Sequence, residues 1–184
     1  MPTINALTDD EHPCQILADI FTIQEKRGSI EGKVVTFVGD GASNTARSWL
    51  FAAGKLNFEL RLASPSKYQP STEMLQRAGD GKIVCTANLQ EAARGADVLY
   101  TDIWVSMGKE GEEARREAEL GPYWINEALV KLAKPDALVM HCLPAHRGQE
   151  IDDATLEANA ETIFDQSENR LHVQKAVLVA VAHS

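Results

Sequence analysis

Five short runs of β-branched and aliphatic residues recur along the chain, and segments of helical character fill the gaps between them. The runs are KVVTFVG (33–39), FELRLAS (58–64), KIVCTA (82–87), DVLYT (97–101) and ALVMH (137–141). Most lack polar alternation, the pattern of strands covered on both faces. The intervening segments are SNTARSWLFAAGK (43–55), STEMLQRAG (71–79), NLQEAARG (88–95) and YWINEALVKL (123–132). Strand–helix alternation predicts an α/β fold: a doubly wound parallel sheet of about five strands in a Rossmann-like three-layer αβα arrangement. Two further helices, 12–28 and 167–184, flank this unit. A length of 184 residues fits one domain with a sizeable core, and no internal repeat is present.

In such sheets a ligand sits beyond the carboxyl ends of the strands, where the strand order reverses. The residues that follow the strands are therefore the candidates. After the first strand come Gly39, Asp40, Gly41 and Asn44; after the fourth, Asp102, Ser106 and Met107; after the fifth, Cys142, Leu143 and Pro144. Residues 100–113 read as the one long irregular stretch, and long loops in compact domains tend to be functional.

Composition narrows the partners. A net charge of -9 with no basic cluster argues against nucleic acid. The three cysteines, Cys14, Cys85 and Cys142, include no C-x-x-C pair, so a reducing, cytoplasmic setting is expected rather than a disulfide framework. The N-terminus lacks a basic start and an apolar core, so it does not read as a secretion signal. The longest fully apolar run, 176–182, is too short to span a bilayer.

Each local motif has a plain reading. GDGASN (39–44) is close to a dinucleotide fingerprint but has Asn44 in place of the third glycine; it also reads as a tight turn with Asn44 capping a helix. HCLPAHR (141–147) offers His141, Cys142 and His146, whose spacing matches no common zinc pattern. Leu143-Pro144 is expected to be cis, which would aim the carbonyls of Cys142 and Leu143 at one amide nitrogen. HPCQ (12–15) starts a helix with Pro13 in its first turn, and its plain reading is a capping His12 with a solvated Gln15. ENR (168–170) reads as an acidic helix start that leaves the direction of Arg170 open.

The ordered set HPCQ, GDGASN, DIWVSMG, HCLP and ENR resembles the carbamoyltransferases. D-x-x-x-SMG with HCLP resembles the ornithine-specific branch, over residues 5 to 182. The resemblance implies transfer of a carbamoyl group from carbamoyl phosphate to the ornithine side-chain amine, giving citrulline and phosphate for arginine biosynthesis. No metal or organic cofactor is implied. His12 would donate to the carbamoyl oxygen, and Gln15 with the carbonyls of Cys142 and Leu143 would hold the carbamoyl nitrogen. Arg170 would polarise the carbonyl. Asn44, Asp102, Ser106 and Met107 would hold ornithine. Cys142 would orient the reacting amine without attacking covalently. Residues 109–120 would flank a loop that closes over ornithine.

The sequence contains no Ser-Thr-Arg-Thr-Arg, the phosphate motif of the family's other domain. The expectation is a single ornithine-binding domain over 1–184 with two interdomain helices, 12–28 and 167–184. Alone it would be nearly inactive, self-associating through helices left bare. Three alternatives stay open: a carbamoyltransferase for another amine such as putrescine, an acylated ornithine or aspartate; a stand-alone amino-acid-binding module; and a nucleotide-dependent oxidoreductase. The last is weakened by LASPSK (62–67), which carries no acid where a ribose-binding carboxylate belongs.

Overall fold

A computed structural model of the chain describes residues 2–105 and 110–182. Five parallel strands form one sheet in the order β3-β2-β1-β4-β5: β1 (Val34–Val38), β2 (Glu59–Ala63), β3 (Lys82–Thr86), β4 (Val98–Thr101) and β5 (Leu138–His141). Each lies within a run read from the sequence. The helices are α1 (Pro13–Arg27), α2 (Asn44–Leu56), α3 (Thr72–Ala78), α4 (Leu89–Ala93), α5 (Glu113–Leu120), α6 (Glu127–Val130), α7 (Asp153–Ala158) and α8 (Ala160–Ala182).

The lack of polar alternation has its expected cause. Val35, Phe37, Leu60, Leu62, Val98, Tyr100, Leu138 and Met140 face one apolar layer with Trp49 and Leu50 of α2 and Ile16 and Ile23 of α1. Their neighbours Val38, Ala63, Leu99 and Val139 face the other, with Ala92 and Ala93 of α4, Leu129 of α6 and Leu156 of α7. The two edges differ. β3 is half-exposed, and its Lys82 forms an ion pair with Glu59 of β2, which charges that edge. β5 is wholly buried, and its His141 N–H donates to Gln166 Oε1 of α8 at 3.0 Å. Gly54 of α2 is required by a close approach: a Cβ there would lie 1.9 Å from the Ala78 carbonyl oxygen of α3.

Several boundaries differ from expectation. The helix read over 123–132 is confined to 127–130, because Ile125 runs extended: its N–H donates to Glu150 O and its carbonyl accepts from Asp152 N–H. Asn126 then caps α6 by accepting from Leu129 N–H at 2.9 Å. The last helix starts at Ala160 rather than 167. Within 109–120, expected to flank a loop, lie a 3-10 turn over Glu110–Glu112 and then α5. α8 is not enclosed on every side: Leu171, Leu178 and Val179 are each about 60% exposed (61%, 59% and 59%). It packs on α1 and β5 and leaves its remaining face bare. Among the described residues no helix is long and apolar enough to cross a membrane.

Candidate active site

The strand order reverses between β1 and β4, which are neighbours in the sheet although the chain visits β2 and β3 between them. The crevice at their carboxyl ends collects the residues after β1, β4 and β5, as the doubly wound topology requires. Gly39, at φ +126, makes the turn out of β1. Asp40 follows, buried, its Oδ1 accepting from Ala42 N–H at 3.0 Å and its Oδ2 paired with Arg116 of α5. Arg116 also donates to the Trp104 carbonyl and lies over the Tyr68 ring, 5.0 Å from its centroid. The residue that caps α2 is Ser43, whose Oγ accepts from Ala46 N–H at 3.2 Å, and not Asn44. Asn44 instead donates from Nδ2 to Thr8 O at 2.8 Å, which ties the N-terminal segment to the mouth of the crevice.

Asp102 and Cys142 meet across the ends of β4 and β5. Asp102 Oδ1 accepts from Ile103 N–H at 2.8 Å and from the Cys142 thiol at 2.9 Å. Burial first, and the Asp102 charge second, hold the Cys142 thiol well above its usual range, so the sulfur stays protonated. A thiol in that state is a donor, not a nucleophile. Leu143 takes φ +53, the Leu143-Pro144 bond is cis as the sequence predicts, and Leu143 N–H donates to His141 Nδ1 at 2.9 Å. His141 Nε2 meets the buried Glu150 at 3.0 Å. With Nδ1 accepting, Nε2 carries the hydrogen. Both ring nitrogens are therefore occupied, and the zinc reading of His141, Cys142 and His146 has no ligand there.

α1 and α8 bring the remaining residues to the same place. His12 stands at the start of α1 without capping it through its side chain. Its backbone N–H donates to Ser48 Oγ at 2.8 Å, and its ring Nδ1 bonds to Ala6 O at 2.9 Å. A carbonyl only accepts, so Nδ1 holds the hydrogen and Nε2 of the neutral ring is an acceptor. Burial, then the Arg170 charge, lowers the pKa of this ring, while Asp102 raises it. Gln15 is buried, not solvated: Nε2 donates to Asp19 Oδ1 at 2.8 Å, and Oε1 has no partner. Arg170 is half-buried and, among the described residues, makes no hydrogen bond or ion pair; its Nε is buried without a partner. Its field reaches His12, Cys14 and Asp19.

Seven of the nine residues expected at the site, His12, Gln15, Asn44, Asp102, Cys142, Leu143 and Arg170, are thus placed at one end of the sheet or on the two helices beside it. The other two, Ser106 and Met107, lie outside the described residues. Arg116, Asp19 and Gln166 were missed. Arg116 sits in a run of charges that reads as solvated, and Asp19 lies four residues after Gln15, a spacing that gives a shared helix face and no burial.

A doubly wound sheet that holds a carboxylate and a protonated thiol beyond the ends of β4 and β5, with an uncommitted arginine and an unpaired amide oxygen beside them, is an α/β domain equipped to hold a small polar molecule. The profile described as aspartate/ornithine carbamoyltransferase, Asp/Orn binding domain, matches residues 31–181, and that of the carbamoyl-P binding domain matches residues 1–25. The chain belongs to the aspartate/ornithine carbamoyltransferase family. It is 53% identical over 182 residues to the ornithine carbamoyltransferase of Syntrophus aciditrophicus, covering 97% of this chain and 60% of that one. To that of Methanoculleus marisnigri it is 50% identical over 181 residues, covering 97% and 58%. The anabolic ornithine carbamoyltransferase of Campylobacter jejuni superposes with a TM-score of 0.92 at 39% identity, over 99% of this chain and 62% of that one. The ornithine carbamoyltransferase of Pyrococcus furiosus gives 0.85 at 44%, over 97% and 58%. The chain therefore spans about three-fifths of the length of these relatives.

Proposed function

We propose that this chain supplies the ornithine site and the carbamoyl end of an ornithine carbamoyltransferase. The ornithine side-chain amine, in its neutral form, attacks the carbonyl carbon of carbamoyl phosphate. A carbon–nitrogen bond forms, the carbon–oxygen bond to phosphate breaks, and the amine gives up a proton. The products are citrulline and phosphate, in the service of arginine biosynthesis.

The observation that carries this reading is the pairing of Asp102 with Cys142 at the switch point. Asp102 engages both neighbours through Oδ1, which leaves its negative charge and Oδ2 for an ammonium group. Asn44, Ser106 and Met107 complete the grip on the ornithine head group by family resemblance. The Cys142 thiol orients the reacting amine. Arg170 places positive charge where the carbonyl oxygen gains electron density. His12 assists in its imidazolium form, which an incoming phosphate dianion favours by raising the ring's pKa. Gln15 and the carbonyls of Cys142 and Leu143 hold the carbamoyl nitrogen.

The phosphate charge is met by a carbamoyl-phosphate-binding domain docked on α1 and α8, since no Ser-Thr-Arg-Thr-Arg occurs in this sequence. The exposed Leu17, Phe21, Leu171, Leu178 and Val179 offer that contact, and without it they favour self-association. Calorimetry with ornithine, putrescine and aspartate tests the substrate. Adding a separately produced carbamoyl-phosphate-binding domain of a relative and assaying citrulline tests the reaction. Ornithine binding with little turnover alone and turnover on mixing is the expected result. Binding of aspartate or putrescine in preference would move the chain to another branch, and ornithine binding with no turnover on mixing would make it a binding module.

A further inference from the structure

We propose that Asp19 is a positioning residue for the carbamoyl nitrogen: it fixes the Gln15 amide with Oε1 as the free acceptor and, through Gln166, locks that choice to the edge of β5. The proposal rests on the reading that Gln15 meets the carbamoyl amide.

The argument is one of hydrogen-bond polarity. Gln15, Asp19 and Gln166 are all buried, at 1%, 0% and 0% exposure, so water cannot correct a mismatch. The His141 backbone N–H can only donate, and it donates to Gln166 Oε1 at 3.0 Å. The other end of that amide is then Nε2, a donor, and it reaches Asp19 Oδ1 at 2.7 Å. The same oxygen accepts from Gln15 Nε2 at 2.8 Å. Rotating the Gln15 amide by half a turn would put Oε1 against Asp19 Oδ1, two acceptors face to face. Gln15 is therefore held with Oε1 outward, and that oxygen is buried without a partner. An N–H of a bound ligand is the group that would satisfy it.

The chain of bonds joins the two places that would share the carbamoyl nitrogen. One end is Gln15 on α1; the other is the His141–Cys142–Leu143 backbone after β5. The orientation also survives protonation of the acid. Burial raises Asp19 to about 7 against the pull of Gln15, Gln166, Tyr100 and Arg170. A proton would go to Oδ2, because Oδ1 already takes two N–H groups. Asp19 Oδ2 and Tyr100 Oη make no hydrogen bond of normal geometry, yet each influences the other's titration. Asparagine in place of Asp19 can present the same Oδ1 to both glutamines, whereas alanine cannot.

The test compares Asp19→Ala and Asp19→Asn in the chain combined with a carbamoyl-phosphate-binding domain. Asp19→Ala should raise KM for carbamoyl phosphate about tenfold, as expected for one lost hydrogen bond and its misoriented partner, and leave KM for ornithine in place. Asp19→Asn should return KM for carbamoyl phosphate to near the parent value. A folded Asp19→Ala chain with KM for carbamoyl phosphate unchanged, or with both constants raised alike, overturns the proposal. A second measurement uses the unaltered chain alone: the Gln15 side-chain N–H protons should exchange slowly with solvent in nitrogen-15 spectra, and exchange at the rate of a free glutamine would also overturn it. Absence of turnover in the parent mixture would instead count against the proposed function, while the exchange measurement still decides whether Asp19 holds Gln15.

Discussion

At the residue scale, charge and polarity at fixed positions decide what the crevice can hold. Asp102→Asn should keep the shape of the site, since one oxygen of the new side chain can accept from both Ile103 N–H and the Cys142 thiol. Only the charge is lost. A charge-assisted hydrogen bond contributes roughly 1.5–3 kcal/mol, so ornithine affinity should fall about tenfold or more, with carbamoyl phosphate little affected. Calorimetry checks this, and unchanged ornithine affinity would remove Asp102 from the site. Cys142→Ser should lower the rate and leave the fold intact, and the unaltered chain, mixed with its partner domain and substrates, should show no thioester on Cys142 by mass spectrometry. Asp19 gives a stability signature. Its folded-state pKa of about 7 lies above the ordinary carboxyl value of about 4. The folded state therefore keeps a proton that the unfolded chain loses between those limits, so this group's contribution falls as pH rises from about 4 to about 7 and is flat above. His12, with a lowered pKa, works in the opposite sense, which a comparison with Asp19→Asn cancels. Between pH 5.5 and 8 the Asn variant should gain about 2 kcal/mol on the parent in urea unfolding. Parallel stability profiles for the two chains would contradict that. Asp102 and Cys142 were legible in the sequence because strand ends in a doubly wound sheet are a short list. Asp19 was not, because nothing in a Gln–Asp spacing of four says that both side chains turn inward.

At the scale of elements, the apolar runs of the sequence match the strands to within one residue at either end and the helical segments match less well, for a physical reason. A strand buried on both faces carries its signal in every residue, whereas a short helix depends on caps and on tertiary pairing. The sequence predicts a longer α6 because Tyr123 to Ile125 are apolar enough to continue a helical stripe, yet Ile125 pairs with the chain around Glu150 and Asp152. α7 escaped notice because its start is signalled by Asp152, whose side chain accepts from Thr155 N–H at 2.6 Å, inside a run of acids. The contact of α2 with α3 offers a direct test. Gly54→Ala would place a methyl group 1.9 Å from the Ala78 carbonyl oxygen, which no rotamer can relieve. The helices would have to separate, and overpacking of this kind costs about 1–3 kcal/mol. Denaturant unfolding should show that loss, although alanine is the better helix former by about 1 kcal/mol. A neutral or stabilising Gly54→Ala would mean that the helices part more freely than their packing implies.

At the scale of the whole molecule, the sheet domain closes on itself and the α1–α8 pair does not. Ile16 and Ile23 of α1 reach the core, as does Ile163 of α8, and Asn169 Nδ2 joins the two helices through Thr22 Oγ1 at 3.0 Å and Glu25 Oε2 at 2.6 Å. The pair also exposes Leu17 and Phe21 of α1 and Leu171, Leu178 and Val179 of α8. Singly exposed apolar residues are ordinary; here most of the exposed large apolar side chains among the described residues gather on these two helices. If about 300 Å² of this surface is covered on association, the gain at about 25 cal/mol per Å² is several kcal/mol before the entropy of association is subtracted. That is enough for a weak dimer and too little for a permanent one. Sedimentation of the chain alone should therefore show concentration-dependent dimers or larger species. Leu178→Lys should shift the population to monomer without lowering unfolding stability, because that side chain is 59% exposed. A carbamoyl-phosphate-binding domain added in excess should do the same, since it would compete for the same face. Monomer at every concentration would show that the bare helices do not self-associate, and dimers that persist with both Leu178→Lys and the added domain would place the contact elsewhere on the molecule.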